Sequence, residues 1–301
     1  MKLLWLDLNS SYAHSSLALP ALHAQIADDE AIEWDIVSAT INENVGMVAG
    51  EVYRRRPDLL AATVWLFNHE QLLHIISRVK ALLPQCCIVL GGPEFLGDNE
   101  FFLRSNPFVS CVFRGEGEEV FPQWITHRNN PSEWKNIPGL CYLDSHGNYI
   151  NNGIARVLDF HHLVPPEKSR FFNWSKPFVQ LETTRGCFNT CAFCVSGGEK
   201  PVRTLSIEAI RERLQIIHRH GIKNVRVLDR TFNHNTRGAQ ALLEMVLEFA
   251  HGIRFHLEMH PALLSEELKE ELKRLPEGLL HLEAGIQSLR EPVLVQSRRM
   301  G

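Results

Sequence analysis

Three cysteines within one short stretch are the feature of this sequence most directly tied to chemistry. The stretch reads Thr183-Thr184-Arg185-Gly186-Cys187-Phe188-Asn189-Thr190-Cys191-Ala192-Phe193-Cys194 and follows an apolar run at 178–182 that predicts a β-strand. The C-x-x-x-C-x-x-C spacing can bring three thiolates to one centre, and soft thiolates select zinc, copper(I) or an iron–sulfur cluster. The count discriminates among these. A structural zinc wants a fourth cysteine or a histidine, and the next histidine downstream, His218, falls inside a predicted helix at 206–220. A four-iron cluster normally takes four cysteines, so three leave one iron open for a substrate or cofactor. The competing reading, three unrelated cysteines, requires this spacing to arise by chance directly after a strand.

With Arg185-Gly186 ahead of the cysteines and Phe193 just before the third, the stretch resembles the radical S-adenosylmethionine (SAM) superfamily. The resemblance implies that Cys187, Cys191 and Cys194 hold a [4Fe-4S] cluster and that SAM chelates the open iron through its amino and carboxylate groups. One electron from an external donor of the flavodoxin or ferredoxin type would then cleave SAM to methionine and a 5′-deoxyadenosyl radical. Phe193 would sit against the adenine, where an apolar ring suits a stacked or edge contact.

The residues after the cysteines repeat strand and helix, as a partial (βα)6 barrel should. Helices are predicted at 206–220, 235–249 and 265–274, and strands at 224–229, 253–258 and 279–285. Barrel enzymes collect their chemistry at the carboxyl ends of strands, which makes Glu182, Asp229, Arg230, Asn233, Glu258, His260, Glu283, Gln287 and Ser288 the candidates. The family's second strand ends in a Gly-Gly-Glu that binds the SAM amino group; here Leu228-Asp229-Arg230-Thr231-Phe232-Asn233 occupies that place, with Asp229 as the substitute acceptor. Gly197-Gly198-Glu199 lies directly after the cysteines and is an accidental likeness. Glu258 and the Glu283 to Ser288 stretch match the third- and fourth-strand positions near the SAM methionine and ribose; taken singly, each carboxylate could equally be a surface ion pair. About four βα units fit before Gly301, so the resemblance implies a barrel cut short, with a sheet edge left open.

Ahead of this region, short apolar runs alternate with helical patterns. Strands at 3–8, 33–38, 59–66, 86–90 and 109–114 alternate with helices at 16–27, 43–56, 70–83, 98–104 and 118–126, the signature of a parallel sheet with crossover helices. The fold class is therefore α/β, with an N-terminal doubly wound, flavodoxin-type domain. In such sheets ligands bind beyond the strand carboxyl ends. Those loops carry Asn9, Ser10, Tyr12 and His14; Phe67 and Asn68; Gly91, Gly92, Pro93 and Glu94; and Gly115, Glu116, Gly117 and Glu118. The glycines would let a large flat ligand approach the backbone, or they merely end strands. Neither a G-x-G-x-x-G nor a P-loop pattern follows the first strand, which argues against a dinucleotide or nucleoside triphosphate.

This set resembles the cobalamin-binding domain found ahead of many radical SAM proteins, which implies cobalamin as a further cofactor held by these loops. The wider cobalamin family supplies a histidine to cobalt from Asp-x-His-x-x-Gly. Here Asp7 and His14 stand seven apart with no glycine following, so cobalamin is expected without a protein imidazole and His14 reads as a polar loop residue.

Between the two regions, turn chemistry dominates: Asn130-Pro131, Pro138-Gly139, Gly147-Asn148, Asn152-Gly153 and Pro165-Pro166, with a small hairpin at 140–143 and 149–150. The expected organisation is a cobalamin-binding-like domain at 1–128, a linker at 129–176 and a radical SAM domain at 177–301.

Composition bounds the rest. The chain has 301 residues, is 45% hydrophobic and 22% charged, and carries a net charge of −4, proportions of a globular chain. It has no basic run that would mark tight binding along a phosphate backbone. No apolar stretch approaches the length that spans a membrane, and residues 1–7 read as a first strand rather than a signal peptide. The other four cysteines, Cys86, Cys87, Cys111 and Cys141, read as core filler, and an odd total of seven without a secretion signal points to a reducing cytosol. The leading reading is a cobalamin-dependent radical SAM enzyme, with methyl transfer to an unactivated carbon as its expected reaction. One rival keeps the radical chemistry without cobalamin, and another is a non-catalytic iron–sulfur or zinc protein.

Overall fold

A computed structural model describes residues 1–196 and 199–300. It divides into two compact units, the first formed by Met1–Val157 with Leu163–Phe172 and the second by Leu158–His162 with Asn173–Gly301.

The first unit is built on a seven-stranded sheet. Five parallel strands, β1 (Lys2–Asn9), β2 (Glu33–Thr40), β3 (Leu59–Thr63), β4 (Cys87–Gly91) and β5 (Cys111–Phe113), lie in the order β2-β1-β3-β4-β5. This is the flavodoxin-type doubly wound order, whose switch point lies between β1 and β3. Their crossover helices α1 (Ala18–Gln25), α2 (Val45–Arg55), α3 (His69–Leu82), α4 (Glu100–Ser105) and α5 (Val120–His127) cover both faces. On one face Val48, Val52, Leu72, Ile76 and Val79 pack against Leu4, Leu6 and Leu60. On the other, Leu19, Phe121, Trp124 and Ile125 pack against Leu3, Trp5 and Val89. Strands buried on both faces read as unbroken apolar runs, which is why their positions show in the sequence.

Beyond shifts of a few residues at element ends, two differences from expectation bear on the fold. The strand expected over 59–66 ends at Thr63, because Trp65 and Leu66 turn outward, Leu66 being 84% exposed. The hairpin β6 (Leu140–Leu143) and β7 (Tyr149–Asn151) is no free-standing linker element: β6 pairs antiparallel with β5 and extends the sheet. Gly139, at φ +73°, makes the junction, with no room for a Cβ between Arg114 O and Ala155. Most of the expected linker therefore packs with the first unit. Its tail returns as a strap over 163–172, where the Gln25 amide exchanges hydrogen bonds with both backbone groups of Val164 and the Ser169 hydroxyl meets His23 Nδ1 at 3.0 Å.

In the second unit, β8 (Val179–Leu181) is followed by a two-residue ribbon, β9 (Thr184–Arg185) against β10 (Arg203–Thr204). Then α6 (Ile207–Arg219), β11 (Asn224–Val227), α7 (Thr236–Glu248), β12 (Arg254–Met259), α8 (Glu266–Arg274), β13 (Leu280–Ala284) and α9 (Glu291–Gln296) alternate. The strands form one parallel sheet in the order β13-β12-β11-β8, an open arc of a barrel. Ser206, Asn235 and Ser265 cap α6, α7 and α8 through their side chains, as N-cap residues do. Val179, Leu181, Val225, Val227, Phe255 and Leu257 are buried, while Arg226, His256, Glu258 and Glu283 hold each other on the opposite side of the pleat.

Candidate cluster and cofactor site

The cysteine loop leaves the carboxyl end of β8 and is closed at its base by the β9–β10 ribbon. Gly186, at φ +92°, lies so near Glu199 O that a Cβ would approach it to 2.4 Å, and the Cys187 N–H donates to that same carbonyl at 2.9 Å. Asp229, 1% exposed at the end of β11, anchors the root. Its Oδ1 accepts the Thr183 and Thr184 N–H groups at 2.8 and 2.9 Å, and its Oδ2 accepts the Thr183 hydroxyl. Burial holds this carboxyl above its ordinary pKa, against the pull of those hydrogen bonds. The expectation that Asp229 would receive the SAM amino group is therefore corrected: its oxygens face inward and are spent on the loop.

Within the loop Cys191 is buried, Cys187 half-buried and Cys194 exposed. Burial raises the Cys187 thiol, and its two neighbours, Cys194 and Cys191, raise it further, while the Asn189 N–H and the Arg230 charge oppose them. A thiol with two further thiols and a cation close by suits a centre bound by soft thiolates. Among the described residues, no three His, Cys, Asp or Glu side chains form a set that could hold a metal ion. Three sulfurs that each serve a different iron of a cluster need not converge on one point.

Residues beyond β13 also reach the loop. Ser297 O accepts the Ala192 N–H at 2.9 Å, and Arg299 places Nη1 3.9 Å from Cys191 Sγ while Nη2 donates to Gly285 O. Sequence reasoning missed Arg299, because an arginine pair after a short helix carries no periodicity or motif. Phe193 is 58% exposed, its ring open to a partner. Glu258 and Glu283 lie on one face of the sheet, but both engage Arg226, at 3.6 and 3.4 Å, and Glu283 also meets His256 Nε2 at 2.9 Å. Gln287 is exposed at φ +65°, and the Ser288 hydroxyl accepts the Arg290 N–H ahead of α9. His260 is buried between Asn233 and the cysteine loop, and burial, then the Arg299 charge, holds it below its ordinary pKa. Of the Gly197-Gly198-Glu199 likeness, both glycines lie outside the described residues.

In the first unit the loops after β1 and β3 expose Tyr12, Trp65, Leu66 and Phe67, with Trp65 and Phe67 stacked at 6.3 Å. Asn9 is bound to Asp7, and Ser10 is half-buried beside it. Asn68 is not available there: its amide donates to Leu8 O and Thr63 O and accepts the Trp65 N–H, tying the ends of β1 and β3 together. His14 Nδ1 meets the Ser11 hydroxyl at 2.8 Å, as suits a polar loop residue. The glycines serve the chain's own backbone. At Gly92 (φ +113°) a Cβ would meet Val64 O at 2.5 Å, and at Gly115 (φ +105°) Ala155 O at 2.2 Å. Gly117 lies against Leu22 and Gly91 near Phe113, Glu116 accepts the Val157 N–H, and Pro93 opens a helical turn that leaves Glu94 exposed.

Two family models match, one within each compact unit. The B12 binding domain covers residues 6–125 and the Radical SAM superfamily residues 181–301. The chain carries a B12-binding domain and a radical SAM domain. Among curated relatives of this radical SAM protein, an uncharacterised methyltransferase of Pyrococcus horikoshii is 29% identical over 61% of the chain and 42% of its own length. The cobalamin-dependent radical SAM methyltransferase TokK of Streptomyces tokunonensis is 22% identical over 65% of the chain and 30% of its own length. The solved structure of the cobalamin-dependent SAM radical enzyme OxsB with aqua-cobalamin and SAM bound superposes with a TM-score of 0.78 at 18% identity, covering 98% of the chain and 45% of OxsB. The chain thus spans less than half the length of these relatives. Among the described residues no helix is long and apolar enough to cross a membrane.

Proposed function

We propose that the chain is the cofactor-bearing part of a cobalamin-dependent radical SAM methyltransferase. The observation that carries this reading is the three-thiol loop, anchored at a barrel-strand carboxyl end, in a chain whose other unit is a B12-binding fold. The curated relatives' names supply methyl transfer. Cys187, Cys191 and Cys194 hold the [4Fe-4S] cluster. When bound, the cluster and SAM supply reductive cleavage of a sulfonium to methionine and a 5′-deoxyadenosyl radical, and cobalamin supplies a transferable methyl group.

The chain's own residues bind and orient. Arg299, beside Cys191, is the cation placed for the SAM carboxylate, since an arginine fork matches a carboxylate. Phe193 offers its ring to the adenine. Glu258 and Glu283 are candidates for the amino and ribose groups, which would displace Arg226 from them. Gln287 and Ser288 border the same strand end. Tyr12, Trp65, Leu66 and Phe67 present an apolar, aromatic surface at the switch point of the first unit, suited to a large flat macrocycle. An external flavodoxin- or ferredoxin-type donor supplies the electron, and a reducing cytosol is the compartment the free thiols favour.

The test is anaerobic. The cluster is reconstituted, reductant, SAM and cobalamin are added, and 5′-deoxyadenosine is quantified against Cys191→Ala. Product from the wild type alone supports the reading; no product from a fully loaded chain removes it for these residues.

A further inference from the structure

The cysteine loop is held at its root by Asp229, and its middle rests on a different side chain. Asn189, two residues after Cys187, is buried, and its Oδ1 accepts the Thr190 N–H at 3.0 Å. Its Nδ2 is therefore the group that faces His260 Nε2, at 3.5 Å. An amide N–H aimed at an imidazole nitrogen needs a lone pair there, so the ring proton sits on Nδ1. The neighbouring Phe188 meets the same ring edge-on, at 5.6 Å and 70°. His260 is itself fixed, because Asn233 grips its backbone on both sides: Oδ1 accepts the His260 N–H and Nδ2 donates to the His260 carbonyl, each at 2.9 Å. Two consecutive loop residues thus rest on one imidazole whose root cannot drift.

His260 Nδ1 is buried and, among the described residues, has only the Met300 backbone near it as a partner, without a hydrogen bond of ordinary geometry. A buried donor so weakly satisfied costs free energy that an apolar ring of similar size would avoid. The group that earns its place is Nε2. We propose that His260 is a positioning residue for the cysteine loop, receiving the Asn189 amide on Nε2 and so setting the stretch between Cys187 and Cys191. The link to a cluster rests on the reading above.

Three variants in the whole chain separate the two nitrogens. His260→Phe keeps a ring and removes both; His260→Gln returns an acceptor near Nε2; His260→Asn returns an amide near Nδ1 that does not reach Asn189. Three readouts apply: the melting temperature of the cluster-free chain, alkylation of Cys187 in that chain, and iron retained against a chelator with the electron paramagnetic resonance line shape after reconstitution and reduction. His260→Phe should melt at or above the wild-type temperature, yet alkylate at Cys187 faster and hold iron about 10-fold less tightly with an altered line shape, the scale of loss when a group supporting metal ligands is removed. His260→Asn should share the loop defects and His260→Gln restore the wild-type pattern. Wild-type alkylation and iron retention in His260→Phe would overturn the proposal, as would a lowered melting temperature that Gln does not rescue, which marks a purely structural role. A wild-type chain that takes up no cluster overturns the functional reading instead, and the alkylation rates still decide the role of His260.

Discussion

Removing the Asp229 carboxylate would leave two backbone N–H groups and a hydroxyl without an acceptor in a buried place. Unpaired buried donors are costly, so Asp229→Ala is expected to lower stability by about 3 kcal/mol, read as thermal melting of the cluster-free chain. Asp229→Asn keeps one acceptor oxygen and should lose less. An unchanged melt for the alanine variant would remove the anchor role. Cys187→Ala, Cys191→Ala or Cys194→Ala should each abolish 5′-deoxyadenosine formation. Cys86→Ala, in the apolar core of the first unit, should cost about 1 kcal/mol of packing and leave that formation intact. Cleavage that survives any of the first three changes would contradict the ligand assignment. The cysteines were legible because their spacing is local. Asp229 was read as a ligand because its position at a strand end is visible in sequence, whereas the Thr183 and Thr184 donors that occupy it lie more than forty residues away in the chain.

At the scale of elements, the strap over 163–172 is closed on α1 by a histidine that must stay uncharged. His23 is buried against Trp34 and Phe171, and burial, then the Arg170 charge, lowers its pKa from 6.5 to about 4. A histidine with a depressed pKa in the folded chain is protonated only after much of the unfolded population is. Its contribution is therefore whole above pH 6.5 and declines as the pH falls from 6.5 towards about 4. Melting temperature should fall across that window with a steeper slope in the wild type than in His23→Phe, and equal slopes would discard the assignment. Gly115→Ala is the second element-scale expectation. A Cβ 2.2 Å from Ala155 O, at φ +105°, forces the turn after β5 away from the segment it pairs with, a loss of about 2 kcal/mol measurable by denaturant unfolding. Helix and strand periods made most of these elements readable. The β9–β10 ribbon was not, since two residues a side carry no period and their pairing spans the whole cysteine loop.

For the whole molecule, the two candidate cofactor sites use separate residue sets on separate units. Cys191→Ala should accordingly retain cobalamin as the wild type does while forming no 5′-deoxyadenosine, checked by the visible absorbance that co-elutes with protein on gel filtration. Loss of cobalamin from this variant would show that the two sites are coupled. The hairpin at Leu140–Leu143 and Tyr149–Asn151 shows where whole-molecule reading failed: its turn residues marked a hairpin correctly, but only the pairing with β5 assigns it to the first unit.

Alternation of buried strands with amphipathic helices, the three-cysteine spacing and the absence of nucleotide-binding patterns were determined by the sequence alone, because each is a local property of neighbouring residues. Only the tertiary structure decided which polar groups are still available to a ligand. Asp229 and Asn68 are turned inward, Gly92 and Gly115 make room for backbone rather than for a cofactor, and Arg299 and His260 are brought to the cysteine loop. The physical reason is that a buried hydrogen-bonding group must be satisfied by whatever lies next to it in space, and sequence order does not record those neighbours.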